Sequence, residues 1–517
     1  MTSIISSLTP AQVHTLSTTA IAGLKTTDIG ALSTSQAAQL TATQLNTLNT
    51  TDLQFLVTTQ IQALAPSVVA ALVTLQIQNF STTQIGELTS TQVAALTTSE
   101  IGALTSTEVH NLTTTQANAL TSAQLGGLTT TAINNLSTTQ VTALSSTQLH
   151  GLSTTQLNNL TTVNLDAVTA ANLSVGQAAG LNTTAITNLT TTQVTTLTST
   201  QVAALTTSEI GALTSTEVHN LTTTQANALT SAQLGGLTTT AVNNLSTTQV
   251  TALSSTQLHG LSTTQLNNLT TANLDAVTAS NLSVGQTAGL NTTAITNLTT
   301  TQVTTLTSTQ AAALTTSQIG ALTSTEVHNL TTTQANALTS TQLGGLTTTA
   351  ANNLSTTQVT ALSSTQLHGL TATQLNNLTT PNLDAITAPN LTTAQVAGLN
   401  TTAVTNLTTT QVTALSSAEV GALTALQINA LTTTEIGGFT ASQAGALTSD
   451  QLAGITTAKF AALSSTTAIP ALSTTALAGI TTSEIAALTT TQGNAFTPSQ
   501  IGSLSDAQAS ALTTLVG

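Results

Sequence analysis

Apolar and polar residues follow one another along this chain with a period of eight residues. Residues 96–103, which read Leu-Thr-Thr-Ser-Glu-Ile-Gly-Ala, show the unit, and Leu104 begins the next one. We call this unit the octad and number its positions 1 to 8 from the Leu. Position 2 is usually Ser or Thr, position 5 Gln or Glu, position 6 Val, Ile or Leu, and positions 7 and 8 are small or Asn. The segment from Leu8 to Leu512 divides into sixty octads, three five-residue units and one nine-residue unit.

Each octad contains the residues that start a helix. Ser or Thr at position 2 and Gln or Glu at position 5 have the spacing of a capping box, in which the two residues exchange side-chain and backbone hydrogen bonds. With Thr97 as N-cap, Leu96 and Ile101 take the two positions of a hydrophobic staple. The pattern therefore predicts one helix of one to two turns in every octad.

The placement of proline, acidic residues and glycine supports this prediction. Prolines fall in the predicted first turn, where a missing N–H costs nothing, and acidic residues favour the same turn because of the helix dipole. Gly and Asn collect at positions 7 and 8, where the helix has to end. The prolines that fit are Pro10, Pro66, Pro381, Pro389 and Pro498, and Pro470 is the exception.

Two other architectures compete with the short-helix reading. One continuous helix is excluded, because an octad turns the Leu by about 80° and no apolar stripe forms. A β-solenoid remains the alternative, since Thr and Val favour strands. Positions 1 and 6 have opposite parity, however, so a regular strand would point them to opposite faces. We predict an all-α fold, an elongated solenoid of very short capped helices, with two octads assumed per coil.

A longer repeat is superimposed on the octad. Blocks of 109 residues, each thirteen octads plus one five-residue unit, recur with few differences at about 96–204, 205–313 and 314–422. We predict that residues 1–517 form a single continuous octad-repeat solenoid. The five-residue units, 168–172, 277–281 and 386–390, are expected to reset the phase of the coil, and the nine-residue unit 463–471 to form a bulge or kink at Pro470.

Composition excludes several classes of function. The chain has two Lys and no Arg, and its formal charge is −14, whereas nucleic-acid binding needs clustered cations. No apolar run is long enough for a transmembrane span. The absence of Cys removes disulfides and thiolate metal sites. Residues 1–7 lack the basic and apolar regions of a cleaved secretion signal. Neither terminal segment is a charged cap, so stacking of exposed apolar ends into fibres is expected.

Candidate catalytic and metal-ligating residues are few. All seven His residues stand at position 7: His14, His110, His150, His219, His259, His328 and His368. A metal site needs three or four converging ligands, and each His has at best one nearby Glu in sequence. Asp166, Asp275 and Asp384 each precede a five-residue unit, where we expect a local hydrogen bond and not a calcium site. We predict no enzyme, no catalytic or metal residues and no cofactor.

Tracts such as 407–414, Leu-Thr-Thr-Thr-Gln-Val-Thr-Ala, and 88–95, Leu-Thr-Ser-Thr-Gln-Val-Ala-Ala, resemble a known repeat. They are similar to the Leu-Thr-Thr-x-Gln-Val/Ile-x-Ala octapeptide arrays of large proteobacterial surface, adhesin-like or secreted proteins. The resemblance covers nearly the whole chain. It implies a structural part located outside the cell or on its surface.

Three functions are compatible with these observations. The first is a structural repeat protein, either a cell-surface stalk or a filament subunit that associates with itself head-to-tail or laterally. The second is a binding module whose Thr residues at positions 2 to 4 contact ice or a carbohydrate. The third is a scaffold that presents the His and Asp series to a metal or mineral. We favour the first, because charge is low and the chain is duplicated in blocks.

Overall fold

The computed structural model describes residues 3–517. Met1 and Thr2, which belong to the segment predicted to lack a secretion signal, lie outside the described residues. Within residues 3–517 there are 59 α-helices and no β-strand. The all-α solenoid of short capped helices is confirmed, and the β-solenoid alternative is wrong. Each α-helix has four to six residues except the last one, which has eleven. The chain forms two compact units, Met1–Leu261 and Ser262–Gly517, which are described separately.

The first unit contains 31 of the α-helices described in residues 3–517, and two 3-10 helices at Ile4–Ser7 and Ala170–Asn172. Its α-helices are Pro10–His14, Thr18–Ala22, Thr26–Gly30, Thr34–Ala37, Ala42–Leu45, Thr50–Gln54, Thr58–Ala63, Pro66–Val69, Thr74–Asn79, Thr82–Glu87, Ser90–Ala95, Thr98–Gly102, Ser106–Asn111, Thr114–Ala119, Ser122–Gly127, Thr130–Asn134, Thr138–Thr142, Ser146–Leu149, Thr154–Asn158, Thr162–Ala167, Val175–Ala179, Thr183–Asn188, Thr191–Thr196, Ser199–Ala204, Thr207–Ala212, Ser215–Asn220, Thr223–Ala228, Ser231–Gly236, Thr239–Asn243, Thr247–Thr251 and Ser255–Leu258.

The second unit contains the other 28 described α-helices, and 3-10 helices at Ala279–Asn281, Ala388–Asn390, Ile469–Ala471 and Ala476–Gly479. Its α-helices are Thr263–Asn267, Thr271–Ala276, Val284–Gly289, Thr292–Thr296, Thr300–Thr305, Ser308–Ala313, Thr316–Ala321, Ser324–Asn329, Thr332–Ala337, Ser340–Gly345, Thr348–Asn352, Thr356–Ala361, Ser364–Leu367, Ala372–Asn376, Thr380–Asp384, Thr393–Ala397, Thr401–Thr405, Thr409–Ala414, Ser417–Ala422, Ala425–Ala430, Thr433–Gly437, Ala441–Gly445, Ser449–Gly454, Thr457–Phe460, Thr482–Ala486, Thr490–Gly493, Pro498–Ile501 and Asp506–Val516.

The helix starts follow the capping box predicted from the sequence. Thr97 is an N-cap whose Oγ1 accepts from the Glu100 N–H at 3.3 Å, and the Thr97 N–H donates to Glu100 Oε2 at 2.5 Å. The staple residues Leu96 and Ile101 are both buried. The five prolines that fit the pattern all lie at the first or second position of a helix. Local sequence therefore determines where each helix begins.

Each coil of both units has three helices. In the first unit, Thr98–Gly102 packs against Thr74–Asn79 and Ser122–Gly127, the third helix before it and the third after it. In the second, Thr316–Ala321 packs against Thr292–Thr296 and Ser340–Gly345 in the same way. The assumed two octads per coil are wrong. We call each octad one side of the coil. The residues at positions 1 and 6 of the three sides form the buried core.

The five-residue units do not reset the phase of the coil. In the first unit, the 3-10 helix Ala170–Asn172 takes the place of one side and packs against Thr191–Thr196, three sides later. The expected phase reset is therefore wrong. A single 3-10 turn connects the side before it to the side after it as a whole octad does, with three fewer residues. The nine-residue unit also remains one side. Its extra residue forms the predicted bulge, in which the Ile469 N–H donates to Ser464 O at 3.0 Å.

The last helix differs from the others. Asp506–Val516 packs against Thr482–Ala486 and Thr490–Gly493, and the side chains of Leu515 and Val516 lie over Gly493. Val516 in this helix and Ile501 before it remain exposed, and the predicted stacking of apolar ends stays a prediction. Among residues 3–517, no helix is both long and apolar enough to cross a membrane.

Candidate functional site

The most regular chemical feature of both units is a set of side chains at position 5 that connect successive coils. In the first unit, Gln124 Nε2 donates to Val93 O at 2.9 Å and to Leu96 O at 2.6 Å. In the second, Gln443 Nε2 donates to Val412 O at 3.0 Å. The accepting carbonyls belong to positions 6 and 1 of the preceding coil. The same Gln uses Oε1 to cap its own helix, so one buried amide serves two coils.

Residues other than Gln at position 5 also act as donors. Asn164 Nδ2 donates to Asn134 O at 3.0 Å and Leu136 O at 3.2 Å. Lys459 Nζ donates to Leu431 O. Three different side chains thus donate to carbonyls of the preceding coil, and the position-1 carbonyl is an acceptor for all three.

Position 7 makes a second set of connections, directed at the following coil. Asn376 Nδ2 donates to Gly398 O at 2.9 Å, and its Oδ1 accepts from the Asn400 N–H at 2.7 Å. In the octad of Asn400, position 5 is Ala403, which cannot accept this N–H. The Asn of the preceding coil takes over the capping function, and each coil is held from both neighbours.

The His residues belong to this second set. His110 Nδ1 lies 2.8 Å from Asn135 O, and His328 Nδ1 lies 2.8 Å from Asn353 O. Because a carbonyl only accepts, Nδ1 donates the proton in both cases. His14 and His219 make the same contact, with Gln39 O and Asn244 O. His150, His259 and His368 are the C-cap residues of their helices. All seven side chains are exposed.

The Asp series does not form the local hydrogen bond expected from the sequence. Asp166, Asp275 and Asp384 are exposed, and within residues 3–517 no hydrogen bond reaches their carboxylates. That expectation is wrong. In the same part of the chain, no three His, Asp or Glu side chains come together in a way that would hold a metal ion.

The 109-residue block and the three-sided coil are out of register. One block contributes fourteen sides, thirteen octads and one five-residue unit, and fourteen is not a multiple of three. Within the first unit, His110 and His219 therefore lie on different sides of the coil. In the second unit, the same holds for Asp275 and Asp384. Repetition of the block does not align either series along one face.

A cleft of about 1150 Å³ opens at the first coil. Its walls include Ile4, Leu8, Leu16 and Leu24, and Lys25 and Asp28 stand at its edge. The Leu residues at position 1 are half-buried here, whereas most of those in the later coils are buried.

Comparison with known proteins identifies one repeat family in part of the chain. Residues 312–348 match the family model of the ALTTAQ repeat. The six letters of ALTTAQ correspond to position 8 followed by positions 1 to 5, as in residues 313–318 of this chain, Ala-Leu-Thr-Thr-Ser-Gln. The ALTTAQ match therefore spans the position-5 donor Gln318. A search of curated proteins finds no match to the chain.

Sequence reasoning identified position 5 as a cap but missed its bond to the preceding coil. A signal for that bond was present: Gln is far commoner than Glu at position 5, although both serve a capping box equally well. Only the amide also carries a donor. The role of position 7 gave no comparable signal, because Asn and His there are also common helix-ending residues.

Proposed function

We propose that this protein is a structural spacer, a stalk that holds other components apart at the cell surface or outside the cell, and that it catalyses no reaction. The observation that supports this proposal is the position-5 connection, which recurs from coil to coil within each unit. Position-5 side chains that bond to the neighbouring coil hold the stack together. Such a repeated connection suits a protein whose length matters more than any single binding site.

The surface chemistry is consistent with a spacer. Charged residues make up 3% of the chain, and the exposed positions carry mostly hydroxyl, amide and methyl groups. Because blocks rotate relative to the coil, repetition adds length without building a continuous stripe of any one residue. The adhesin-like and secreted context implied by the octapeptide resemblance is part of this proposal.

Localisation tests the proposal. Protease added to intact cells should degrade the chain while a cytoplasmic marker stays intact, and an antibody against one repeat block should label unpermeabilised cells. Degradation only after lysis would contradict a surface stalk.

Self-association is a second candidate, favoured by the cleft at the first coil. Ile4 is 71% exposed, and Lys25 and Asp28 at the edge carry opposite charges. A second copy placed on the same cleft would cover the Leu side chains and bring Lys25 close to the partner's Asp28. Sedimentation across a concentration series tests this. Association that Leu16→Asp abolishes is expected, and a monomer at every concentration would refute it.

A further inference from the structure

Eight octads carry a buried Glu at position 5, where most other octads carry a Gln that donates to the preceding coil. As whole residues they are 2 to 6% exposed, and each caps its own helix by accepting from the N-cap N–H. These residues are Glu100, Glu108, Glu209, Glu217, Glu326, Glu419, Glu435 and Glu484. An ionised carboxylate has no proton to give to the preceding coil.

The chain contains an internal comparison for this substitution. Glu209 and Gln318 take the same place in successive blocks. The Gln318 Nε2 donates to Leu290 O and also lies 3.2 Å from both Thr287 O and Ala288 O. Both residues cap their helices alike, with Thr206 N–H to Glu209 Oε2 at 2.6 Å and Thr315 N–H to Gln318 Oε1 at 2.5 Å.

The helix packing around the two residues is also alike. The helix of Glu209 packs on Thr183–Asn188, and that of Gln318 packs on Thr292–Thr296, in each case the third helix before it. A Glu209 side chain placed as that of Gln318 is would turn its second oxygen toward the carbonyls of the preceding coil. Two acceptors that face each other in a buried place repel when the carboxyl group is ionised.

We propose that the position-5 glutamates are proton-binding sites between coils. In each site a neutral carboxylic acid donates its O–H to a carbonyl of the preceding coil and replaces the Gln amide as the hydrogen-bond donor. Proton uptake changes each contact from two facing acceptors into a hydrogen bond. The stack is then held more tightly in acid than at neutral pH, and the number of such sites sets the strength of the response.

Few other titratable groups lie close to these glutamates. On the helices packed against theirs, the charged residues are Glu87, next to the helix of Glu108, Lys459, next to those of Glu435 and Glu484, and Asp506, next to that of Glu484. On their own helices stand His110, His219 and His328. Burial raises the pKa of Glu484, against an opposing effect of the hydrogen bonds from Thr481. This direction agrees with the geometry.

Linkage gives the sign of the effect. A carboxyl group that holds its proton more tightly in the folded state takes up protons on folding, so stability is greatest below the unfolded-state value and is lost as pH rises through the folded-state value. Within that window each such site changes the unfolding equilibrium constant by up to about tenfold per pH unit.

The test compares thermal unfolding of the full chain between pH 4.5 and pH 8 with that of a variant in which all eight glutamates are replaced by Gln. Gln is the usual occupant of position 5, so this variant should fold. We expect the wild-type midpoint to rise as pH falls from 7 to 5 and the eight-Gln variant to be nearly flat. A matched control changes the exposed acids, as Asp166→Asn, Asp275→Asn and Asp384→Asn, and should keep the wild-type slope.

Two results would overturn the proposal. In the first, the wild type and the eight-Gln variant show the same dependence on pH. In the second, added Ca²⁺ or Na⁺ at pH 7 raises the wild-type midpoint as much as acid does while the eight-Gln variant does not respond, which would assign the sites to a cation instead of a proton.

Discussion

Replacing Gly151 by Ala tests how closely successive coils approach each other. A Cβ on Gly151 would lie 2.0 Å from Ser122 O and 2.5 Å from the Ser122 carbonyl carbon, both atoms of the backbone of the third helix before it. Ordinary contacts of a Cβ lie beyond about 3.4 Å, so the two coils would have to separate by more than about 1 Å. Backbone atoms cannot rotate away as a side chain can.

The expected cost follows from overpacking. Inserting one methyl group into a closely packed contact destabilises by about 1 to 3 kcal/mol, and we expect the upper end here because the obstructing atoms are backbone. Gly176 provides the matched control. It lies in the helix Val175–Ala179, and a Cβ there would meet nothing within 4 Å. Within residues 3–517 no Gly has a positive φ, so Ala is allowed at both places. Gly176→Ala should stabilise by about 0.5 to 1 kcal/mol.

Thermal unfolding followed by far-UV circular dichroism measures both variants, and hydrogen exchange at the amides near Ser122 locates the effect. We expect a lower midpoint and faster exchange at these amides for Gly151→Ala only. If Gly151→Ala is as harmless as Gly176→Ala, the coils are not in the described contact, and the packing argument is refuted.

Three further predictions concern the connections between coils. Gln124→Ala removes the donor to Val93 O and Leu96 O and should destabilise the fold by about 1 to 3 kcal/mol. The control is Gln12→Ala, at an exposed residue that accepts from the Thr9 N–H, which should cost about 1 kcal/mol or less. Equal losses of stability in urea unfolding would contradict the inter-coil role of position 5. Asn376→Ala leaves Gly398 O and the Asn400 N–H without their partner and should speed exchange of that amide, while Asn376→Asp should restore the acceptor alone. Duplicating one whole octad, residues 120–127, should leave the helix content per residue unchanged, because every octad forms one side. Inserting only the first four residues of that octad should lower the helix content. An equal loss in both variants would show that the octad is not the unit of insertion.

Much of the local structure follows from the sequence, because it depends on interactions within one octad. Thr97 and Glu100 are three residues apart, and Leu96 and Ile101 are five apart, so capping and stapling can be read directly from the spacing. The position of Pro10 or Pro66 in a first turn is equally local. These features predicted helix starts, helix lengths and the buried positions.

The number of octads per coil could not be predicted from the same signals. It depends on the turning angle between one helix and the next, and on how Gly151 and Gln124 meet residues of another coil. The octad is the same on every side of the coil. Its sequence therefore does not distinguish a coil of two octads from a coil of three. The five-residue units were misjudged for this reason, since a 3-10 turn such as Ala170–Asn172 can replace a whole side only in a coil whose corners are already fixed.

The candidate site was predicted only in part. The exposed His and Asp series were identified, and the metal-scaffold and Thr-face hypotheses stay predictions. The inter-coil role of position 5 was missed because its acceptors lie 28 and 31 residues earlier in the chain, as for Gln124. No local pattern connects residues at such distances.

The measurement that tests the spacer account most directly is the contour length of single molecules in electron micrographs, compared between the full chain and a variant lacking residues 205–313. The deletion removes 109 of 517 residues, or fourteen complete sides. The account predicts that contour length falls by about a fifth while width stays the same, since each side adds the same increment to the stack. An unchanged length, or a wider and shorter particle, would contradict it.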